Sequence, residues 1–121
     1  MDKNELKDRT KKFALRTIKL VNVLPYNSLG NIVRNQLLRC ATSTAANYRA
    51  VCRSRTTAEF NSKLGVVIEE ADESVFWLEI IIESKIMKEE LVLPLLNEAS
   101  EITAIMVASR KTSIKNTNLK F

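Results

Sequence analysis

Residues 56–84 read TTAEFNSKLGVVIEEADESVFWLEIIIES, and the spacing of the apolar residues in this stretch decides the fold. Phe60, Leu64, Val67, Ala71, Val75, Leu78 and Ile82 recur at steps of three and four. That is the period of one face of an α-helix, not the alternation of a strand. Thr56 with Glu59 three residues later has the spacing of a capping box, which satisfies amides left free at a helix start.

The same period extends outward on both sides. Upstream, Val33, Leu37, Cys40, Thr44, Tyr48 and Val51 form a second stripe, and Ala41, Ser43, Ala45 and Ala46 make room for a close neighbour. Earlier still, Leu6, Thr10, Phe13, Thr17, Leu20, Val21 and Leu24 form another. Pro25 ends that run, because proline disfavours helix in the residue before it. Arg53-Ser54-Arg55 reads as a connector and Lys85 to Glu89 as a turn. A last stripe uses Leu95, Ala99, Ile102, Met106 and Ser109, with Pro94 expected in the first helical turn. The predicted architecture is all-α, an antiparallel up-and-down four-helix bundle over residues 1–111, with a flexible basic tail over 112–121. Helices of roughly 20 residues are each about 30 Å long, and short connections favour antiparallel neighbours.

Composition agrees with that class. The chain has 121 residues, 45% hydrophobic and 27% charged, ordinary values for a folded domain with a core of its own. Two glycines and two prolines are too few for the tight turns of an all-β chain. Cys40 and Cys52 are too few for a disulfide framework or a zinc site. The opening residues lack the apolar stretch of a signal peptide, and the longest apolar run falls short of a membrane span. The expectation is a cytoplasmic protein with no membrane partner.

Charge is strongly segregated. Residues 1–55 hold twelve Lys and Arg against three Asp and Glu; residues 56–108 hold three against eleven; residues 109–121 hold four and no acid. Arg9, Lys12, Arg16 and Lys19 fall on one side of the first helix, and Arg49, Arg53 and Arg55 lie on and after the second. Such cations suit the phosphate backbone of RNA or DNA, giving affinity without base recognition. No recognised nucleic-acid motif accompanies them. On the third helix Val66, Trp77, Ile80 and Ile81 lie off the core stripe, rimmed by Glu69, Glu73 and Glu83, the pattern of a subunit interface.

Catalysis has little to build on. There is no histidine, which removes the commonest general base and most zinc and copper sites. Glu69-Glu70-Ala71-Asp72-Glu73 with Glu98-Ala99-Ser100-Glu101 resembles the paired carboxylate motifs of MazG-like nucleoside triphosphate pyrophosphohydrolases, which bind Mg²⁺. However, the second motif ends in glutamate where that family has aspartate. The expectation is a non-enzyme with no cofactor and no metal.

Gln36-Leu37-Leu38-Arg39-Cys40-Ala41-Thr42-Ser43-Thr44-Ala45-Ala46-Asn47-Tyr48 resembles the signature of the four-helix-bundle proteins encoded in intervening sequences of some bacterial 23S ribosomal RNA genes. Phe13 with Arg16, Leu24-Pro25, Arg55 through Glu59-Phe60, Glu73-Ser74 and Trp77-Leu78-Glu79 continue the likeness. Where many members have Ile-Ala-Glu-Gly after the asparagine, this chain has Tyr48-Arg49-Ala50-Val51. The resemblance implies a bundle that assembles as a homopentameric ring. It also implies structural roles for Gln36, Arg39, Ser43 and Asn47. The related accessory variability protein of diversity-generating retroelements is similar in architecture and binds nucleic acid and a reverse transcriptase. Three readings follow: an oligomeric nucleic-acid-binding or ribonucleoprotein-associated protein, a protein–protein scaffold whose opposite charges align subunits, and the Mg²⁺-dependent pyrophosphohydrolase.

Overall fold

The computed structural model describes residues 1–119 and contains four helices and, among the described residues, no strand. They are α1 (Lys3–Val21), α2 (Ser28–Val51), α3 (Thr57–Ser84) and α4 (Glu89–Leu119). Each starts where the sequence offers a cap or an acidic first turn. The side chains of Asp2, Asn27 and Thr56 accept hydrogen bonds from the amides of Glu5, Gly30 and Glu59, and Glu89 and Glu90 open α4. Lys85 ends α3 in the left-handed conformation (φ 60°), an uncommon one for a residue with a β-carbon.

Helices adjacent in the chain are adjacent in space, and α4 closes the bundle against α1, which is its thinnest seam. The α2 stripe is buried as expected: Val33, Leu37, Cys40, Thr44, Tyr48 and Val51 all lie in the core. So do Leu6, Phe13, Val21 and Leu24 from α1 and Leu95, Ala99, Ile102 and Met106 from α4. Thr10, Thr17, Thr44 and Ser74 are buried too, and each hydroxyl donates to the carbonyl four residues back on its own helix.

Three expectations need correction. On α3 the buried positions are Leu64, Val67, Ala71, Ser74, Leu78 and Ile81, while Val75 and Ile82 are only partly covered. The face is turned toward α2, where the Ser74 hydroxyl also reaches the Cys40 sulfur at 3.2 Å, so a polar residue takes a core position. Pro94 is the sixth residue of α4 rather than part of its first turn, because the helix starts at Glu89. The segment expected to be a flexible tail from residue 112 continues α4 through Leu119; residues 120–121 lie outside the described residues.

Each seam between neighbouring helices is crossed by an arginine that hydrogen-bonds to the helix opposite or its end. Arg9 joins α1 to Glu98 and Glu101 of α4. Arg34 of α2 donates to the carbonyls of Val21 and Leu24 at the end of α1. Arg39 joins α2 to Glu70 and Glu73 of α3. Arg110 of α4 donates to the Asn61 carbonyl of α3 at 3.0 Å. Carbonyl and carboxylate acceptors match the fork of a guanidinium, which offers donors in a fixed plane.

Candidate nucleic-acid interface

The seven basic residues singled out from the sequence do not form one surface. Arg9 is not a free cation: its Nε and Nη2 bind Glu98 at 2.8 and 2.6 Å, and Nη2 also binds Glu101 at 2.8 Å. Its side chain is 22% exposed and that of Glu98 only 16%. This guanidinium holds the Glu98 carboxyl below the usual glutamate range, and the pairing raises Arg9 in turn. Lys12 is exposed and pairs with Asp8 one turn earlier, at 2.9 Å. Arg16 and Lys19 keep their charge for solvent. They line an open cleft of about 330 Å³ between α1 and the start of α4, with Leu20, Val23, Leu91 and Leu95.

Arg49 faces the other flank of α1. With Asn4, Lys7, Asp8 and Lys11 it lines a cleft of about 270 Å³ on the seam between α1 and α2. Lys7 and Lys11 were not among the sequence candidates, although two lysines one turn apart were a readable signal. Arg53 and Arg55 are exposed at the α2–α3 turn, where Arg55 and Lys3 border a further cleft beside Cys52 and Phe60. A further hollow, about 710 Å³, lies between Met1, Leu6, Phe60 and the far end of α4.

The proposed interface residues also divide. Ile81 is fully buried in the bundle core and cannot belong to an exposed patch, because it lies seven residues after buried Ser74, on the same inward side of α3. Trp77 and Ile80 are half-buried against the core, and Val66 is 43% exposed. Phe76, overlooked in the sequence, is 50% exposed and packs edge-on against Trp77 with ring centroids 5.0 Å apart. The indole N–H of Trp77 is buried without a hydrogen-bond partner among the described residues. Of the motif residues, Arg39 bridges to α3 and Asn47 donates to the Ser43 carbonyl and hydroxyl at 2.9 and 2.8 Å, a bond internal to α2. Gln36 is half-buried on the same helix.

The carboxylates of the pyrophosphohydrolase-like pattern point to different neighbours. Glu70 and Glu73 bind Arg39 on the α2 side, and Glu98 and Glu101 bind Arg9 on the α1 side. Among the described residues no three His, Cys, Asp or Glu converge as a metal site. One helix segment, Glu89–Asn118, is long and apolar enough by composition to cross a membrane. Its Val92, Leu95, Ala99, Ile102 and Met106 are buried in the bundle, and its two central carboxylates bind Arg9.

The architecture has a solved counterpart. A crystal structure of a protein of unknown function from the S23 ribosomal protein family of Bacteroides thetaiotaomicron is 30% identical to this chain. The likeness covers 92% of this chain and 99% of that one, with a TM-score of 0.83. Comparison with curated proteins gives no match. The family model described as 23S rRNA-intervening sequence protein matches residues 2–108, nearly the whole bundle, and the chain therefore belongs to that family.

Proposed function

We propose that this is a non-catalytic, cytoplasmic protein that assembles as a homo-oligomeric ring, a pentamer, and binds the backbone of RNA or DNA through its basic surface. The observation that supports this most is what remains after pairing within the chain. The charged groups of Lys3, Lys7, Lys11, Arg16, Lys19, Arg34, Arg49, Arg53 and Arg55, on α1, α2 or the turn after it, have no carboxylate partner among the described residues; Lys85, Lys88, Arg110, Lys111 and Lys115, after α3 or on α4, are the smaller set likewise without one. The exposed side of α3, by contrast, is acidic, with Glu69, Asp72, Glu79 and Glu83 around Phe76. A basic surface suits a polyanion, and an acidic surface with an apolar centre suits a neighbouring subunit. Head-to-tail contacts between unlike faces close into rings when the rotation permits.

A second reading has the same observation behind it. The acidic α3 face of one subunit and the basic α1 face of the next are complementary, so the charges could serve assembly alone. One experiment separates the two: salt-titrated binding to labelled RNA and DNA, with mass by light scattering in the same samples. The proposal expects an oligomer that binds at about 50 mM salt, with a log–log slope equivalent to several phosphates. An oligomer with no binding at that salt leaves the scaffold. A monomer that binds would remove the ring.

A further inference from the structure

The α1–α2 cleft brings together three cations from two helices. Lys7 and Lys11 stand one turn apart on α1, and Arg49 reaches the same cleft from α2. None of the three has an ion-pair partner among the described residues. Asp8 is the only acid lining the cleft, and its carboxylate is engaged by Lys12 at 2.9 Å. With Asp8 paired to Lys12, the cleft lining sets three cations against a single, already shared carboxylate.

Like charges at this helical spacing repel one another, and a third cation across the seam adds to the repulsion. An anion held between them would offset all three. At about 270 Å³ the cleft has room for a phosphate and part of its sugar, and Asn4 adds an amide able to donate to an oxygen. No aromatic ring lines it, so a base entering it would have nothing to stack on.

We infer that the α1–α2 cleft, through Lys7, Lys11 and Arg49, seats the phosphodiester backbone of the bound nucleic acid. This rests on the nucleic-acid reading above and relocates its centre away from Arg9 and Lys12. Recognition there is of phosphate alone, so RNA and DNA of any sequence compete for it.

The test is fluorescence anisotropy with a labelled 20-nucleotide RNA and the matching DNA, titrated with salt from about 50 to 300 mM. The wild type is compared with Lys7→Gln/Lys11→Gln/Arg49→Gln, three exposed changes to a good helix former that leave the circular-dichroism spectrum unchanged. Lys85→Asn/Lys88→Gln, at the opposite end of the bundle, is the control. The triple variant should lose at least tenfold in affinity at the lowest salt. Its log–log slope should be smaller by about 2 to 3, at roughly 0.7–0.9 for each phosphate contact removed. The control should keep the wild-type slope.

Binding by the triple variant with the wild-type slope would overturn the cleft while leaving the nucleic-acid reading intact. An equal fall in slope for the control would mark a net-charge effect and also overturn the cleft. Failure of the wild type to bind at all would remove the nucleic-acid reading itself. Inorganic phosphate and a mononucleotide serve as competitors. Competition by either beyond that of chloride at equal ionic strength would show a small-phosphate site and defeat the backbone assignment.

Discussion

The Arg9–Glu98 pair lends itself to a quantitative test, because it spans the thinnest seam of the bundle and little of it is open to water. Two parallel hydrogen bonds of 2.8 and 2.6 Å join side chains 22% and 16% exposed. Charge-assisted bonds of this kind contribute about 1.5–3 kcal/mol. Removing one member of a fully buried pair costs about 3–5 kcal/mol, and partial exposure relieves some of that. Arg9→Met should therefore cost about 2 kcal/mol, moving the urea midpoint down by about 1 M at fixed protein concentration. Arg9→Met/Glu98→Met should cost less than about 1 kcal/mol, since no carboxylate is then left enclosed without a partner. Acid supplies a second check. Arg9 holds Glu98 below the usual range in the folded state, so the pair's contribution is fully present above the ordinary glutamate pKa of about 4.3. It is lost as pH falls through the lowered folded value, so the gap between wild type and Arg9→Met should narrow as the unpartnered Glu98 of the variant takes up a proton and vanish once the wild-type Glu98 is protonated too. A cost below about 0.5 kcal/mol, or a double variant as unstable as the two singles summed, would refute the reasoning.

Three further outcomes are expected. Leu78→Ala empties a fully buried position and should cost about 2–5 kcal/mol by urea denaturation, whereas exposed Leu93→Ala should stay within about 0.5 kcal/mol. Gly30→Ala would set its β-carbon against the Pro25 carbonyl oxygen and should destabilise by about 1–3 kcal/mol. In contrast, the nearest atom to a β-carbon at Gly65 is the Arg110 Nε at 3.7 Å, and Gly65→Ala should gain about 0.5–1 kcal/mol in the same assay. Burial pushes the Cys40 thiol up to about 11, so at neutral pH a thiol reagent should modify only half-buried Cys52 in the native protein and both cysteines in denaturant.

How far the sequence could be read varied from helix to helix. The α2 stripe was legible throughout because its core positions are apolar or small and repeat without interruption. On α3 the pattern pointed to Val75 and Ile82, while packing chose Ser74 and Ile81. A serine reads as surface until its hydroxyl is seen bonded to the Glu70 carbonyl. The last turns of α4 escaped notice for a related reason. Their inward side is Ser109, Thr112, Ser113, Asn116 and Thr117, a polar row that lines a hollow instead of a tight core. The basic site was the least legible part. Helical register places Arg9 beside Lys12 and Arg16, but it cannot show that Glu98, 89 residues away, will claim the guanidinium. Nor can it show that Arg49 will line the same cleft as Lys7 and Lys11.

The four seam arginines have a consequence for how a sequence of this kind can change over generations. Exchanging arginine for lysine preserves charge, and on an open surface it passes almost without effect. At positions 9, 34 and 39 the same exchange replaces a planar fork by a single ammonium, which cannot hold two acceptors in one plane, and at 110 it removes the Nε donor to the Asn61 carbonyl. A lineage accumulating such exchanges is thus constrained at these bridging positions more than at the exposed ones. Its exposed lysines can be moved or removed without disturbing the register of the helices beneath.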